Sequence, residues 1–513
     1  MQDATFLNSI QSFFQKLLHN SKMRNITLLP VIAIWVTMLS LYWPYTVDDA
    51  YIIFRYSSNW AKGFGLVYNP GVPVDGYTSF LWTFLLGFWA RYADIPIDTA
   101  AKISGSILSF ISLLAVWHLS TQMPFISSRW IATLLTASAP SLVISSIEGL
   151  ETPLYTAIQM LLLSQWLRDQ RKGRLSMISG VLAGALTLTR PDGVLLSPIL
   201  LIIFYLFHRR SISDFILRSV IPFTVGWALV YVPYFVWHFS YYGKPFPNTF
   251  YAKPGGHLDQ LVHGLLRISS NIQEIGGWTS VILAILAFSK GVSPYNALMG
   301  GAILSRVLFH VWSGGEVMGH HRFLAPALPA YFLLLQLGLD TLIDLLRSEG
   351  ARLTRISLRL VPLLLSGYMI LAPLLDLRPS LLQYSQGLYR AHIQLGLWLR
   401  QHTPPTTRIA IGDAGAVPFY SERYTIDLMG LNDAHIAHLR GRYGQKIDVA
   451  YVLNQEPDYL ILLSSTPPTH GFRGLTPVDG AIYEAISRAQ RYKLKSFYQF
   501  SEDYFLWVFA NAS

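Results

Sequence analysis

Long apolar runs separated by short polar segments dominate the chain as far as residue 375. A membrane-spanning helix needs about 20 mostly apolar residues, and many of the runs reach or approach that length. The pattern therefore predicts a polytopic all-α membrane module with about 11–12 apolar helices. The runs lie near residues 27–46, 78–93, 103–120, 130–147, 152–167, 175–189, 193–207, 218–239, 277–289, 295–312, 323–343 and 357–375.

The pattern changes after Arg378. From there to the C-terminus, short β-like runs alternate with charged and turn-forming residues, which predicts a water-soluble α/β domain. We therefore divide the chain into a cytoplasmic N-terminal segment (1–26), a transmembrane module (27–375) and an extracytoplasmic α/β domain (376–513).

Basic residues between the runs indicate how the module is oriented, because short loops rich in Lys and Arg stay in the cytoplasm. The first run follows three basic residues and lacks a clear cleavage site, so we interpret it as a retained signal anchor. The cytoplasmic loops are marked by Arg168, Arg171, Lys172 and Arg174, by His208, Arg209 and Arg210, and by Arg347, Arg352, Arg355 and Arg359. The segments predicted on the far side are 47–77, 148–151, 190–192, 240–276, 313–322 and the tail from 376.

This orientation contains one inconsistency. Three apolar runs lie between residues 77 and 148, and an odd number of crossings would place Glu148 in the cytoplasm. The basic loop after residue 167 requires Glu148 on the far side. One of the three runs is therefore predicted not to cross, and the sequence does not identify it.

Composition agrees with a membrane protein. Only 13% of the residues are charged and the mean hydropathy is +0.37, whereas soluble domains carry about 25% charged residues. The absence of cysteine excludes disulfides, a thiol nucleophile, cysteine-bound zinc and iron–sulfur clusters. The net charge is +10, and the basic residues lie between apolar runs rather than on one patch. This distribution favours anionic lipid or phosphorylated ligands over nucleic acid. No Walker A loop, dinucleotide fingerprint, G-x-S-x-G elbow or H-E-x-x-H motif is present.

Two adjacent acids, Asp48 and Asp49, follow the first run. Adjacent carboxylates beside a bilayer repel each other and are partly desolvated, and both effects raise a carboxyl pKa. Such a costly placement indicates a functional site. A structural alternative is that Asp48 caps a juxtamembrane helix starting at Ala50, with Asp49 stabilised by the helix dipole. The two roles are compatible.

A second acidic segment runs from Glu148 through Glu151 to Pro153. Glutamates and an early proline equally favour a helix N-terminus. The next far-side segment contains Arg190 and Asp192, which predict a local salt bridge. Arg190 is also a candidate phosphate ligand.

Two further far-side segments carry cations. The first, residues 242–253, is aromatic and stiffened by proline and includes Lys253; an interfacial aromatic belt is the alternative. The second contains His320, His321 and Arg322. Adjacent histidines lack the i, i+4 spacing of helical zinc ligands, whereas the planar donor fork of arginine favours phosphate. The structural alternative here is a surface ion pair between Arg322 and Glu316.

Carboxylates and cations are thus predicted at one membrane face. This combination indicates a site for a phosphate-bearing ligand presented at the bilayer, with an acid available as a general base. A lipid-linked phosphate fits, because its tail lies among helices while its head reaches the loops.

The chain resembles the glycosyltransferase C (GT-C) superfamily, polytopic enzymes that use polyprenyl-phosphate sugars and include protein mannosyltransferases and the lipid A aminoarabinose transferase. This resemblance rests on Asp48-Asp49, Gly76-Tyr77-Thr78-Ser79 and Leu150-Glu151-Thr152-Pro153-Leu154-Tyr155. A closer resemblance is to mycobacterial-type arabinofuranosyltransferases that add terminal arabinofuranose to cell-wall arabinan. It rests on Asp48-Asp49-Ala50-Tyr51-Ile52, Tyr68-Asn69-Pro70-Gly71, Gly314-Gly315-Glu316 with Arg322-Phe323, Gly412-Asp413-Ala414-Gly415-Ala416-Val417-Pro418 and Asp427-Leu428-Met429-Gly430-Leu431-Asn432-Asp433.

The resemblance implies an inverting transfer of a sugar, arabinofuranose in the closer group, from a polyprenyl-phosphate donor to a glycan, lipid or protein acceptor. The candidate catalytic acids are Asp48, Asp49 and Glu151. The candidate ligands of the donor phosphate are Arg322, His320, His321, Arg190 and Lys253. Candidates for acceptor contacts or for support near the site are Glu148, Glu316, Asn248, Arg55 and Tyr56. No cofactor is certain; if a metal binds, Asp48, Asp49 and Glu151 offer hard oxygen ligands for Mg, Ca or Mn.

The implied location is a bacterial inner membrane, with the N-terminus in the cytoplasm and the α/β domain outside. Transfer of mannose or aminoarabinose is an alternative activity. A lipid-linked sugar transporter is an alternative of another class, but transporters often carry inverted repeats and mid-span charges, and neither is seen here. In the tail, Tyr420, Tyr424 and Tyr443 are candidates for stacking on sugars or for core packing, and Asp413 and Asp433 for turns.

Overall fold

The computed structural model describes residues 28–123, 130–208, 211–253, 257–315, 320–346 and 352–512. Several predicted features lie outside these ranges: the N-terminal segment 1–26, Arg209, Arg210, Glu316 and Arg347. The helices before the tail are α1 Leu28–Tyr42, α2 Asp48–Ala61, α3 Phe80–Tyr92, α4 Ile97–Gln122, α5 Ile131–Ser138, α6 Pro140–Ile147, α7 Thr152–Lys172, α8 Met177–Thr189, α9 Pro191–His208, α10 Ile212–Tyr242, α11 Asn248–Ala252, α12 Leu258–Glu274, α13 Gly277–Phe288, α14 Pro294–Ser313, α15 Ala325–Leu345 and α16 Arg352–Leu375.

The module is a bundle of apolar helices, as predicted. Within the described residues, four helices (α4, α9, α10 and α15) are long and apolar enough to cross a membrane, and two bent pairs bring the number to six. Other predicted runs form shorter or broken helices; Pro140, for example, starts α6 directly after α5. On α10, Leu229, Val232 and Val236 are exposed, as expected of side chains that face lipid. The chain is thus a multi-pass membrane protein.

Contacts near residue 43 identify the run that does not cross. We call the end of the bundle where α1 finishes the site end. The ammonium group of Lys102, near the start of α4, donates a hydrogen bond to the Trp43 carbonyl (2.6 Å), so α4 starts at the site end. In α3, the indole of Trp82 donates to the Gly149 carbonyl (2.9 Å), just after α6 ends. The run 78–93 therefore begins and finishes at the site end. Its exposed aromatic side chains are Phe84, Phe88 and Tyr92.

The opposite end of the bundle, which we call the basic end, holds the predicted cytoplasmic residues Arg171 and Lys172. There His208 at the end of α9 lies 3.1 Å from the Gln170 carbonyl at the end of α7. Asp169 accepts hydrogen bonds from residues that start α8. Because α7 starts at the site end and α8 returns to it, segments 148–151 and 190–192 lie together, as the charge pattern predicted.

The predicted far-side loop 240–276 contains a helix that the sequence analysis did not predict. Helix α12 bends by 93° into α13. Its exposed apolar residues Leu258, Val262, Leu265 and Leu266 recur at helical spacing and form one face. Asp259 lies between these positions in the sequence and Arg267 directly follows them, so the segment lacks the continuous apolar run from which the other helices were predicted.

The tail forms the predicted α/β domain and joins the bundle at the site end. Arg378 at the start of α17 donates a hydrogen bond to the Leu41 carbonyl at the end of α1 (3.0 Å). The strands lie in the order β2-β1-β3-β5-β4, with β1 parallel to β2 and β3, and β5 antiparallel to β3 and β4. The elements are α17 Leu377–His402, β1 Arg408–Ile411, α18 Ala416–Ser421, β2 Tyr424–Asp427, α19 Ala434–His438, α20 Val449–Asn454, β3 Tyr459–Ser464, α21 Pro477–Ala489, β4 Tyr492–Ser501 and β5 Tyr504–Asn511.

The two faces of this sheet belong to different cores because strand residues alternate in direction. Ile409 and Ile411 pack in the same core as Phe54 of α2. Ala410, between them, packs in a separate core with Ile482 of α21. One face of the sheet is therefore fixed against the segment that carries the acidic pair.

Candidate active site

Helix α2 forms as predicted, but Asp48 does not cap it. The helix starts at Asp48 itself, Val47 occupies the N-cap position, and no side chain caps the helix. The Asp48 carboxylate instead accepts a hydrogen bond from the backbone N–H of Ala416 (2.8 Å), at the start of α18. This contact is possible because Gly415 has no side chain, and a Cβ there would overlap Asp48.

The tail surrounds Asp48 with further polar groups. The backbone N–H of Asp48 donates to the Tyr384 hydroxyl (3.0 Å). His392 lies beside it, with its Nε2 2.7 Å from the carboxylate of Asp413, and the Tyr504 hydroxyl donates to the same carboxylate. Asp413 was a candidate turn residue, and here it positions a buried histidine next to the acidic pair.

These surroundings raise the pKa of Asp48 to about 7, mainly because the packed tail removes much of the half-buried carboxylate from water. The nearby His392 opposes this shift, Asp413 adds to it through like-charge repulsion, and the N–H of Ala416 opposes it. A carboxylate with a pKa near neutrality is matched to accepting a proton at physiological pH. The sequence analysis predicted the direction of this shift from the pairing and desolvation of the acids.

Glu148 contacts His320, in the second of the two cationic segments. The side chain of Glu148 is fully buried, and its Oε2 lies 2.5 Å from Nε2 of His320. The backbone N–H of Val47 donates to the Glu148 carbonyl (3.2 Å), and the Tyr45 ring packs edge-on against His320 at 5.9 Å. Three predicted segments therefore converge beside the acidic pair. Because Nε2 of His320 is paired with the Glu148 carboxylate, we interpret His320 as a residue that positions Glu148 rather than one that binds the donor phosphate.

His321 lies near an acid that the sequence analysis did not single out. Its Nε2 is 3.7 Å from the carboxylate of Glu274 at the end of α12. Glu274 also accepts a hydrogen bond from the hydroxyl of Ser141. Since α12 was predicted as a loop, no sequence pattern placed Glu274 near the site.

Arg190 belongs to a buried ion network rather than to an open phosphate site. Its guanidinium lies 2.5 Å from the carboxylate of Glu151 and 3.0 Å from that of Asp192. Asp192 also pairs with the fully buried Arg306. The predicted Arg190–Asp192 salt bridge is confirmed. The candidate role of Arg190 as a phosphate ligand is not supported, because two carboxylates already neutralise the two arginines.

We expect Arg190→Gln to destabilise the protein more than it weakens donor binding. Removing one partner from a buried ion pair leaves uncompensated charge and costs about 3–5 kcal/mol. The measurement is thermal unfolding of the purified protein in detergent. The matched control is Arg174→Gln, which changes an exposed arginine at the basic end. An unchanged melting temperature together with a raised KM for the donor would instead support phosphate binding.

Lys253 contacts an aromatic ring of the tail and forms no ion pair with a carboxylate among the described residues. Its ammonium group is 4.6 Å from the ring centroid of Tyr443 in the tail. The Tyr443 ring is partly exposed, and its hydroxyl lies close enough to Asp49 to feel the charge of that carboxylate. Arg322 lies over the ring of Phe323 at 5.3 Å. Lys253 and Arg322 remain candidate phosphate ligands.

Arg55 holds the module to the tail. Its buried guanidinium donates to the Tyr68 carbonyl (2.7 Å), to the Asn69 side chain (3.0 Å) and to the Arg423 carbonyl (2.7 Å). The Tyr68 ring lies 4.4 Å from the guanidinium. These contacts use most of its donors, so its role is structural.

Tyr56 and Asn248 are structural for the same reason. The buried hydroxyl of Tyr56 donates to the Val74 carbonyl (2.7 Å) and contacts the Asn432 side chain of the tail (3.2 Å). The Asn248 amide donates to the Gly430 carbonyl (2.9 Å). Both residues fix loops of the module to the loop that follows β2.

The predicted metal ligands do not come together. Among the described residues, no group of three or more His, Asp or Glu side chains is arranged to hold a metal ion. Glu151 pairs with Arg190, whereas the Asp48 carboxylate binds the backbone of the tail. This donor set does not fit a divalent cation, and the use of Mg, Ca or Mn, which the sequence left undecided, stays untested.

The fold is similar to those of solved glycosyltransferases. Crystal structures of ArnT from Cupriavidus metallidurans, in the apo state and bound to undecaprenyl phosphate, each superpose with a TM-score of 0.62 at 12% identity. The apo match covers 95% of this chain and 98% of ArnT. The oligosaccharyltransferase AglB from Archaeoglobus fulgidus, in complex with an inhibitory peptide and a dolichol-phosphate, matches with a TM-score of 0.52 at 13% identity, over 84% of this chain and 69% of AglB. The chain therefore shares its overall fold with ArnT and AglB.

The sequence comparisons are more limited. A terminal β-(1→2)-arabinofuranosyltransferase of Mycobacterium tuberculosis is 24% identical over 255 residues, which is 46% of this chain and 39% of that protein. The match thus spans about two fifths of the length of that relative. Residues 382–509 match a family described as a domain of unknown function, DUF8728. The predicted resemblance to GT-C glycosyltransferases is confirmed, and the DUF8728 match falls within the predicted tail.

Proposed function

We propose that this protein is an inverting GT-C glycosyltransferase that moves a sugar from a polyprenyl-phosphate donor to a cell-envelope glycan. The observation that carries the proposal is the half-buried Asp48 carboxylate at the site end, which is held by the backbone N–H of Ala416 and has its pKa raised to about 7. The GT-C fold supports the same class of reaction.

Asp48 is the general base in this proposal. It takes the proton from an acceptor hydroxyl, the hydroxyl oxygen attacks the anomeric carbon, and the bond from that carbon to the phosphate oxygen breaks on the opposite face. The products are the elongated acceptor, polyprenyl phosphate and a protonated Asp48. The N–H of Ala416 fixes one carboxylate oxygen, which orients the other for the proton transfer.

Charge develops on the departing phosphate, so fixed cations there stabilise the transition state more than the ground state. Lys253 and Arg322 are the candidates for this role. His321 is a weaker candidate because it lies near the carboxylate of Glu274. The polyprenyl tail would lie along the exposed apolar helices, which keeps the donor head group at the level of the acids.

We propose arabinofuranose as the transferred sugar, because the arabinofuranosyltransferase match and the tail motifs point to it. The test uses purified protein with polyprenyl-phosphate arabinofuranose, mannose and aminoarabinose, and an arabinan oligosaccharide as acceptor. Transfer of arabinofuranose alone supports the proposal. Transfer of mannose or aminoarabinose would contradict the sugar but keep the reaction, whereas movement of intact donor across vesicles without transfer would support the transporter alternative.

The pH dependence of kcat/KM tests the base directly. Asp48 must be ionised to accept a proton, so activity is expected to rise with pH through about 7 and to fall below it. His392 lowers the pKa of Asp48, so His392→Gln is expected to move this rise to higher pH. The measurement is a pH–rate profile of both proteins. A profile that stays flat between pH 5 and 9 would contradict the assignment.

We also propose that the site end faces outward from a bacterial inner membrane. Because the chain has no cysteine, single cysteines can report sidedness without background. A membrane-impermeant maleimide is expected to label Gln445→Cys in intact spheroplasts and Arg171→Cys only after permeabilisation. Both positions are exposed. The reverse pattern would overturn the orientation.

A further inference from the structure

A cavity lies beside the segment that carries the acidic pair. Its volume is about 630 Å³, within the range of about 300–1,000 Å³ that is usual for small-ligand sites. Its walls come from the α1–α2 linker, α2, the start of α4, α17 and α18. None of the predicted phosphate ligands lines it, so it is separate from the region assigned to the donor head group.

The α1–α2 linker separates the cavity from the Glu148–His320 pair. Pro44 and Thr46 line the cavity. The residues between and after them face the other way: Tyr45 packs against His320, and the N–H of Val47 donates to Glu148. Asp48 follows this linker directly. Neither Asp48 nor Asp49 lines the cavity itself, so the acidic pair adjoins it through the linker and the first turn of α2.

The walls have the chemistry of a carbohydrate site. Tyr51 and Tyr420, whose ring centroids are 5.6 Å apart, present aromatic surface, and Tyr389 adds a third ring. Aromatic side chains offer an apolar face together with a polar hydroxyl, which matches the apolar C–H faces and hydroxyl edges of a sugar. Ser385 and Gln386 add neutral hydrogen-bonding groups.

The charged groups of the cavity differ in how far they are already engaged by the protein. Lys102 is buried and donates to the Trp43 carbonyl. Asp98, at the start of α4, accepts the backbone N–H of Thr99 (2.8 Å). Arg390 is exposed and forms no ion pair with a described carboxylate, so its donors can reach hydroxyl groups of a ligand.

We propose that this cavity binds the saccharide chain of the acceptor. The inference rests on the proposed transfer reaction and adds the place from which the nucleophile arrives. An inverting displacement needs the acceptor hydroxyl and the leaving phosphate on opposite faces of the anomeric carbon. Helix α18 connects acceptor binding with proton transfer, because Ala416 holds Asp48 while Tyr420 lines the cavity.

Protection of a single cysteine tests occupancy without turnover. Gln386→Cys places a thiol in the cavity of an otherwise cysteine-free chain. The full-length protein in detergent is labelled with a small maleimide, alone and with an alkyl-linked arabinofuranosyl oligosaccharide, a mannosyl oligosaccharide or anionic phospholipid vesicles. We expect at least a fivefold slower rate of labelling with one of the saccharides. Arg400→Cys, an exposed position of α17 outside the cavity, is the control and should label at an unchanged rate.

Two outcomes of this experiment would overturn the proposal. One is unprotected labelling with every saccharide, and the other is protection by the anionic vesicles alone, which would assign the cavity to lipid head groups. Protection by saccharide in a protein whose Asp48→Asn variant transfers sugar normally would keep the cavity assignment and reject the base. The two proposals therefore fail in distinguishable ways.

Steady-state kinetics test the link to the acceptor. Tyr389 and Arg390 are both exposed, so Tyr389→Ala and Arg390→Ala should leave the fold intact. We expect the KM for the acceptor to rise at least tenfold, with kcat and the KM for the donor within twofold of the unmodified enzyme. Arg400→Ala is the matched control. A rise in the KM for the donor instead of the acceptor would overturn the assignment.

Discussion

Asp48→Asn is expected to lower kcat for sugar transfer by about 10²–10⁴-fold, the usual contribution of a general base. The amide keeps the size of the side chain, and its oxygen still accepts the N–H of Ala416. It cannot take a proton from the acceptor. The fold should therefore survive while the chemical step fails.

The controls separate lost chemistry from lost structure. Asp94→Asn changes an exposed acid between α3 and α4 and should leave kcat unchanged. Asp49→Asn, measured in parallel, decides between the two adjacent acids, because removing one of two coupled carboxylates alters the titration of the other. An Asp48→Asn variant with full activity and a normal melting temperature would overturn our assignment, and a larger loss in Asp49→Asn would move the base to Asp49.

The division into a membrane module and an α/β tail was predictable because it depends on local pattern. Apolar runs and strand alternation are properties of neighbouring residues. The path of α3 was not predictable in this way. Its run is as apolar as a short spanning helix, and only the contact of Lys102 with the Trp43 carbonyl shows that the next helix starts at the same end.

In the site, too, contacts between neighbouring residues were predictable and contacts made by helix packing were not. The salt bridge of Arg190 with Asp192 joins residues two positions apart and was predicted. Glu151 and Arg306 join it only through the packing of α7, α8 and α14. The pairing of Arg190 with Glu151 was not predicted, because this second carboxylate is 39 residues away in the sequence.

His392 and Tyr384 were missed for a related reason. They lie more than 300 residues after Asp48 in the chain, within a helix of mixed polarity that carries no motif. A buried histidine beside an acid becomes recognisable only when the tail is placed against α2. The tail is therefore part of the proposed site, and its contact with Asp48 can be tested separately from the base itself.

Gly415→Ala is expected to lower transfer by about 100-fold, at the lower end of the effect of losing a general base. A Cβ at this position would overlap the backbone oxygen and the carboxylate of Asp48. The tail backbone must then move away, and Asp48 loses both the N–H of Ala416 and its fixed orientation. Gly412→Ala is the matched control, because a Cβ there meets its nearest atom, on Leu463, at an ordinary 3.6 Å.

The two variants should differ in activity far more than in stability. Both lie in the same loop after β1, so thermal unfolding of the purified proteins gives a common reference for the fold. If Gly415→Ala transfers sugar at the rate of Gly412→Ala, the tail does not orient Asp48, and the base must act without it. If only Gly415→Ala loses activity while both proteins unfold at similar temperatures, the close approach of the tail backbone is required for catalysis.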